Sequence, residues 1–188
     1  MRIPTRTATR LVVLTAGLVT AACAAAAASV AAFAAPAPGH ASPAAVSGPV
    51  CRAQALGLRL VGTDTAVGST ALTVAVTNHA ATACSLTGYP ALGLARGDGA
   101  VMPASFVKGA GGWFGGLSAR PVRLAPRGQA SFFITYRDFD PATGRVGPAA
   151  SALRVSLPGV SGRFTVTVRF APYGPISMSP VRAGAREE

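Results

Sequence analysis

The sequence has 188 residues, about one domain's worth. Half of it is hydrophobic, 12% is charged, and Gly and Pro number 22 and 15; so many chain-turning residues argue against a helical bundle, and the apolar share is too high for a disordered chain. Lys and Arg number 17 against 6 Asp and Glu, a formal net charge of +11, and nothing in these totals names a reaction.

Residues 1–10 carry Arg2, Arg6 and Arg10 and no acid, and residues 11–35 hold no charge at all. A basic start, an apolar run and the small-x-small site Ala32-Phe33-Ala34 read as a secretory signal peptide over residues 1–34, cut between Ala34 and Ala35. Two variants compete with this reading. Val19-Thr20-Ala21-Ala22-Cys23 has the look of a loose lipobox, in which Cys23 would be lipidated and become the new N-terminus, although the residues after Cys23 stay apolar where a lipoprotein normally turns polar. An uncleaved anchor is the other, since 25 uncharged residues at about 1.5 Å each can span a bilayer. Cleavage after Ala34 leaves 14 basic and 6 acidic residues, a net +8, and reduces three Cys to two, Cys51 and Cys84. In an oxidising compartment these two most simply pair; two buried free thiols are the alternative.

Residues 35–50 are rich in Ala, Pro, Gly and Ser and hold no charge, the composition of a flexible tether. From Cys51 the hydrophobic period becomes two. Leu56, Leu58 and Leu60 alternate with Gly57 and Arg59; Leu72, Val74 and Val76 alternate with Thr73 and Ala75; Phe164, Val166, Val168 and Phe170 alternate with Thr165, Thr167 and Arg169. These are strands with one buried face. Shorter runs of the same kind fall at residues 92–94, 132–136 and 153–157. Turn residues separate them at Gly62 to Gly68, Asn78-His79, Gly97-Asp98-Gly99, Pro126-Arg127-Gly128, Pro158-Gly159 and Ser161-Gly162. Asp98-Gly99 is a pair favoured in tight hairpins. No helical period lasts three turns, so the pattern predicts an all-β, Ig-like antiparallel sandwich of about seven to nine strands over residues 51–181, with a flexible tail at 182–188.

Several of these segments together carry a family resemblance. Cys51, the strand end Thr77-Asn78, the run Cys84-Ser85-Leu86-Thr87-Gly88-Tyr89-Pro90, the run Val122 to Ala130 and the closing Ile176 to Val181 resemble the secreted actinobacterial family catalogued as domain of unknown function 4232. The Cys-x-Leu-x-Gly-Tyr-Pro segment is its most specific element. The resemblance implies an extracytoplasmic Ig-like β domain, often on a lipoprotein or membrane-anchored chain, with no assigned activity. Many members carry a later second pair of Cys, which this chain lacks.

Residues able to do chemistry are few. His40 lies in the tether, so a Ser/His/Asp or Cys/His site would rest on His79 alone, and His79 follows Asn78 at a strand end. Asp64, Asp98, Asp138 and Asp140 all fall in or near turns, and Asp138 and Asp140, two apart before Pro141, read as a capped turn before they read as paired catalytic carboxylates. No Gly-rich segment has the context or the Lys of a phosphate loop. Met102, Met178 and His79 are ligand types suited to Cu(I), at no metal-binding spacing. Arg120, Arg123, Arg127 and Arg137 lie within 18 residues and form a basic cluster able to hold phosphates, without interleaved aromatic residues. The loop Lys108 to Gly116 holds the sole Trp, Trp113, beside Phe114 and flanked by paired Gly; it either anchors a partner or folds back to plug the sandwich.

The expectation is a secreted, non-catalytic, cofactor-free binding or structural module of the cell envelope. Trp113, Phe114, Arg120 and Arg123 form its candidate partner-binding loop. The partner would be an anionic envelope polymer or a protein, not nucleic acid, with membrane contact only through an N-terminal anchor and the protein itself a monomer. Extracytoplasmic copper handling is the alternative, and hydrolase chemistry the remote one.

Overall fold

A computed structural model describes residues 48–109 and 116–184. The signal peptide, its cleavage site, Cys23, His40, Trp113 and Phe114 lie outside the described residues. A 3-10 turn at Ala53–Ala55 precedes twelve strands: β1 (Leu56–Ala66), β2 (Ser69–Asn78), β3 (Cys84–Leu86), β4 (Ala91–Ala95), β5 (Val101–Met102), β6 (Phe106–Lys108), β7 (Val122–Leu124), β8 (Gln129–Arg137), β9 (Ala150–Ser156), β10 (Phe164–Phe170), β11 (Tyr173–Met178) and β12 (Arg182–Ala183). Five of these have three residues or fewer; six of the seven longer ones hold the runs expected from alternation, and β11 is the seventh.

One sheet has the order β1-β2-β8-β11-β6, with β12 also paired to β8; a second has β10-β9-β4-β5; β3 and β7 form a short two-stranded sheet. All pairs are antiparallel except β6 with β11, the one departure from the expected pattern within the sheets. The facing sheets close on a core whose fully buried side chains include Phe132, Ile134, Val74 and Val76 from the first and Leu94, Leu153 and Val155 from the second. Cross-strand register sets this face: Leu72 lies opposite Ile134 and Val74 opposite Phe132, and the period of two carries Val76, Ala130 and Tyr136 to the same side. On the other face of β2 the small residues Thr73 and Ala75 are buried too. They lie opposite the larger Phe133 and Arg59.

The ends of the sandwich differ. At one, the hairpin pole, β1 and β2 meet through Val67 and Gly68, both with positive φ (29° and 72°). Gly62 to Ala66, expected as part of that turn, are instead strand: an irregularity between Leu60 and Gly62 lets β1 absorb an extra residue and continue in register with Thr73 to Ser69. At the other, the disulfide pole, Cys51 is bonded to Cys84. The chain arrives there along β3: the Ser85 N–H donates to the Pro49 carbonyl and its hydroxyl to Gly48, so the last residues of the expected tether are already tied to the domain. The expected tail is also shorter, because Arg182 and Ala183 pair with Ser131 and Ala130 of β8. The gap between β11 and β12 is bridged by Ser179, wholly buried, whose hydroxyl accepts the Phe133 N–H at 2.9 Å.

Asn78 holds the disulfide pole together. It has no exposed surface, and its amide N–H groups are shared among the carbonyls of Thr82 (2.9 Å), Leu124 (3.2 Å) and Ala125 (3.2 Å), while its side-chain oxygen accepts the Ala80 N–H (3.0 Å). One side chain thus ties the end of β2 to the loop before β3 and to the end of β7. Buried polar groups require such partners.

Candidate functional site

The candidate catalytic and metal residues are not brought together. Asn78 pairs with Leu56 and Ser69 with Ala66 at opposite ends of β1 and β2, so His79 lies at the disulfide pole. Asp138 donates its N–H to Gly68 and accepts the Thr70 hydroxyl at 2.8 Å, and so lies at the hairpin pole. Ten strand residues at about 3.3 Å separate His79 from Asp138, roughly 30 Å. Asp140 is at that far pole too. Its carboxylate accepts the Thr143 and Tyr173 hydroxyls and the Ala142 N–H. These bonds, Thr143 first and Ala142 next, hold its carboxyl below the usual value, and the bond to Asp140 raises the Tyr173 phenol above 10.0. The Asp98 carboxylate likewise accepts the Ala100 N–H in its own turn. These are turn-closing roles.

The copper ligand set is also dispersed. His79 is exposed, its ring set above Gly57 of β1, where an added Cβ would meet Nε2 at 2.5 Å. Met178 is buried on β11, three strand spacings from β1, or roughly 14 Å. Met102 is buried on the facing sheet. Among the described residues no three His, Cys, Asp or Glu side chains group as metal ligands.

The basic cluster is partly real and partly redrawn. Arg137 is at the far end of β8, opposite Ser69 at the hairpin pole, because nine extended residues carry it away from Arg127 and Gly128. Arg120 instead lines an open cleft of about 390 Å³ with Leu117, Ser118, Pro121, Val181 and Arg182. This cleft begins at Gly116, where the Trp113 and Phe114 loop rejoins the described chain. Arg123, exposed on β7, lies opposite Ser85, beside the arriving chain. Sequence spacing concealed Arg182, 62 residues from Arg120 along the chain; only the pairing of β12 with β8 places it in the cleft. Lys108, at the end of β6, sits over the Tyr89 ring at 5.8 Å, and the Tyr89 hydroxyl donates to the Leu117 carbonyl at 3.3 Å. The Tyr of the Gly-Tyr-Pro segment therefore pins one flank of the cleft.

What the described residues of this site offer is positive charge on an open surface. Among the described residues no helix is long and apolar enough to cross a membrane. No curated protein and no solved structure matches the chain. A family model described as a domain of unknown function (DUF4232) matches residues 51–184, running from the first bridged cysteine to the end of β12. On that match, which covers well over half of the sequence and all twelve strands, the chain belongs to the DUF4232 family.

Proposed function

We propose that this protein is exported and works outside the cytoplasm as a non-catalytic β-sandwich binding module of the cell envelope. The Cys51–Cys84 bridge carries the reading. Disulfides persist in oxidising compartments and are rare where glutathione keeps thiols reduced, and the basic, then apolar, then small-residue pattern of residues 1–34 is what an export signal requires. The separation of His79 from Asp138 and Asp140 supports a binding role over a hydrolytic one.

Intact mass of the protein isolated from its host tests this. A chain beginning at Ala35 and lighter by two hydrogens than the reduced form is the expected result; a diacylglyceryl adduct on an N-terminal Cys23 would replace the free form by a lipid-anchored one. A full-length mass with reduced thiols, from a cytoplasmic fraction, would refute export.

A further inference from the structure

The described residues hold twelve Arg, one Lys and four Asp, and the topology sorts nine of the arginines and all four aspartates by pole. Six exposed arginines surround the disulfide pole. Arg52 follows Cys51. Arg123 lies opposite Ser85, which holds Gly48 and Pro49. The Arg127 N–H donates to the Asn78 carbonyl at the end of β2. Arg163 follows Gly162, whose added Cβ would meet that of Ala53 at 2.8 Å. Arg120 and Arg182 flank the cleft.

All four aspartates lie at the other pole. Asp64 is two residues from the end of β1, Asp138 bonds Gly68 and Thr70 across the hairpin, Asp140 bonds Tyr173, and the Asp98 turn lies beside Ser151 at the start of β9. Arg96, Arg137 and Arg145 accompany them there. Separated by roughly 30 Å, several times the Debye length of about 8 Å at physiological salt, the aspartates do not cancel the field of the six arginines. No ion pair joins any of the six to an acid among the described residues.

We propose that this arginine pole is a docking face for an anionic lipid surface. The six side chains come from the segment after Cys51, from β7 and its flanks, from the β9–β10 loop and from β12, and they ring one end of the domain instead of converging on a single small anion. A flat anionic surface can meet such a ring all at once, and exposed basic groups add their attractions to anionic headgroups. Basic residues near an anionic surface each strengthen binding by about fivefold. This inference rests on the export reading for its setting, and the mass measurement above tests that reading separately.

The test is co-flotation of the chain beginning at Ala35 with phosphatidylcholine vesicles, with and without about 30 mol% phosphatidylglycerol, at about 0.1 M salt. Arg120→Gln, Arg123→Gln and Arg127→Gln together should lower binding to the anionic vesicles about a hundredfold, three steps of about fivefold. Arg96→Gln, Arg137→Gln and Arg145→Gln together, an equal loss of charge at the other pole, should leave it nearly unchanged. Salt at about 0.5 M should erase the preference for anionic vesicles. Matching melting curves establish that both triple variants fold. Equal binding to neutral and anionic vesicles would overturn the proposal, as would equal losses in the two triple variants. Retention on poly(glycerol phosphate) by a protein that ignores the vesicles would overturn it in favour of an envelope polymer.

Discussion

Replacing Asn78 probes the joint on which the disulfide pole depends. Asn78→Ala deletes two donors and an acceptor that serve the Thr82, Leu124 and Ala125 carbonyls and the Ala80 N–H. The bond to Leu124 is fully buried, and an abandoned buried carbonyl costs about 1–3 kcal/mol; the other three groups are partly buried and recover much of their loss from water. The sum is about 3 kcal/mol, which for a domain of this size lowers the melting temperature by about 10 °C. Asn78→Asp is harsher at neutral pH, because it points a carboxylate oxygen at carbonyl oxygens. Burial and those carbonyls raise the folded-state pKa of the new acid above its unfolded value of about 3.9. The charge penalty is therefore absent below that pH and grows as pH rises through the folded-state value. Urea titrations followed by circular dichroism at neutral and acid pH measure both effects. An Asn78→Ala variant within about 0.5 kcal/mol of the parent, or an Asn78→Asp variant whose deficit does not shrink in acid, would refute this account.

Three further outcomes are expected. Val67 sits fully exposed at φ 29° in the β1–β2 turn, a conformation costly for a β-branched residue and easy for Asn, so Val67→Asn should stabilise by about 1 kcal/mol and raise the melting temperature by about 4 °C; no rise would show that the turn is unstrained. The Cys51–Cys84 bridge spans 33 residues, and the chain-entropy argument assigns it about 3–4 kcal/mol, so the double Cys→Ala variant should melt more than about 10 °C lower. The depressed Asp140 carboxyl contributes stability that is present above its unfolded pKa of about 3.9 and lost as pH falls through the folded value. Melting temperatures followed from neutral pH down to pH of about 2 should consequently fall less steeply for Asp140→Asn than for the parent.

The long strands were legible because a one-sided core imposes a period of two, as Leu72 to Val76 and Phe164 to Phe170 show. Asp98 and Gly99 do form a turn, with Gly99 at φ 82°, but in a five-residue connection between β4 and β5. Strands of two or three residues, such as β5, β7 and β12, are too short to show a period, and they exist only through the partners that long-range folding brings. The same limit governed the charges. Closeness in sequence grouped Arg137 with Arg127, whereas an extended strand separates them; Arg52, Arg163 and Arg182 joined the group from distant segments. Asn78 was legible as a turn residue and as part of a family motif, but nothing in its neighbours along the chain reveals the loop carbonyls it binds.

The pairing of β12 with the start of β8 has an architectural consequence. The Gly184 N–H donates to Gln129, so the domain's last described residue leaves from the same pole at which Gly48 arrives. A unit whose two ends emerge from one pole is suited to insertion into a surface loop of another protein. It can also be relinked head to tail by a short connector and reopened at the Val67–Gly68 turn. The pole bearing that turn is left as a free tip on which loop lengths can vary while the attachment stays the same.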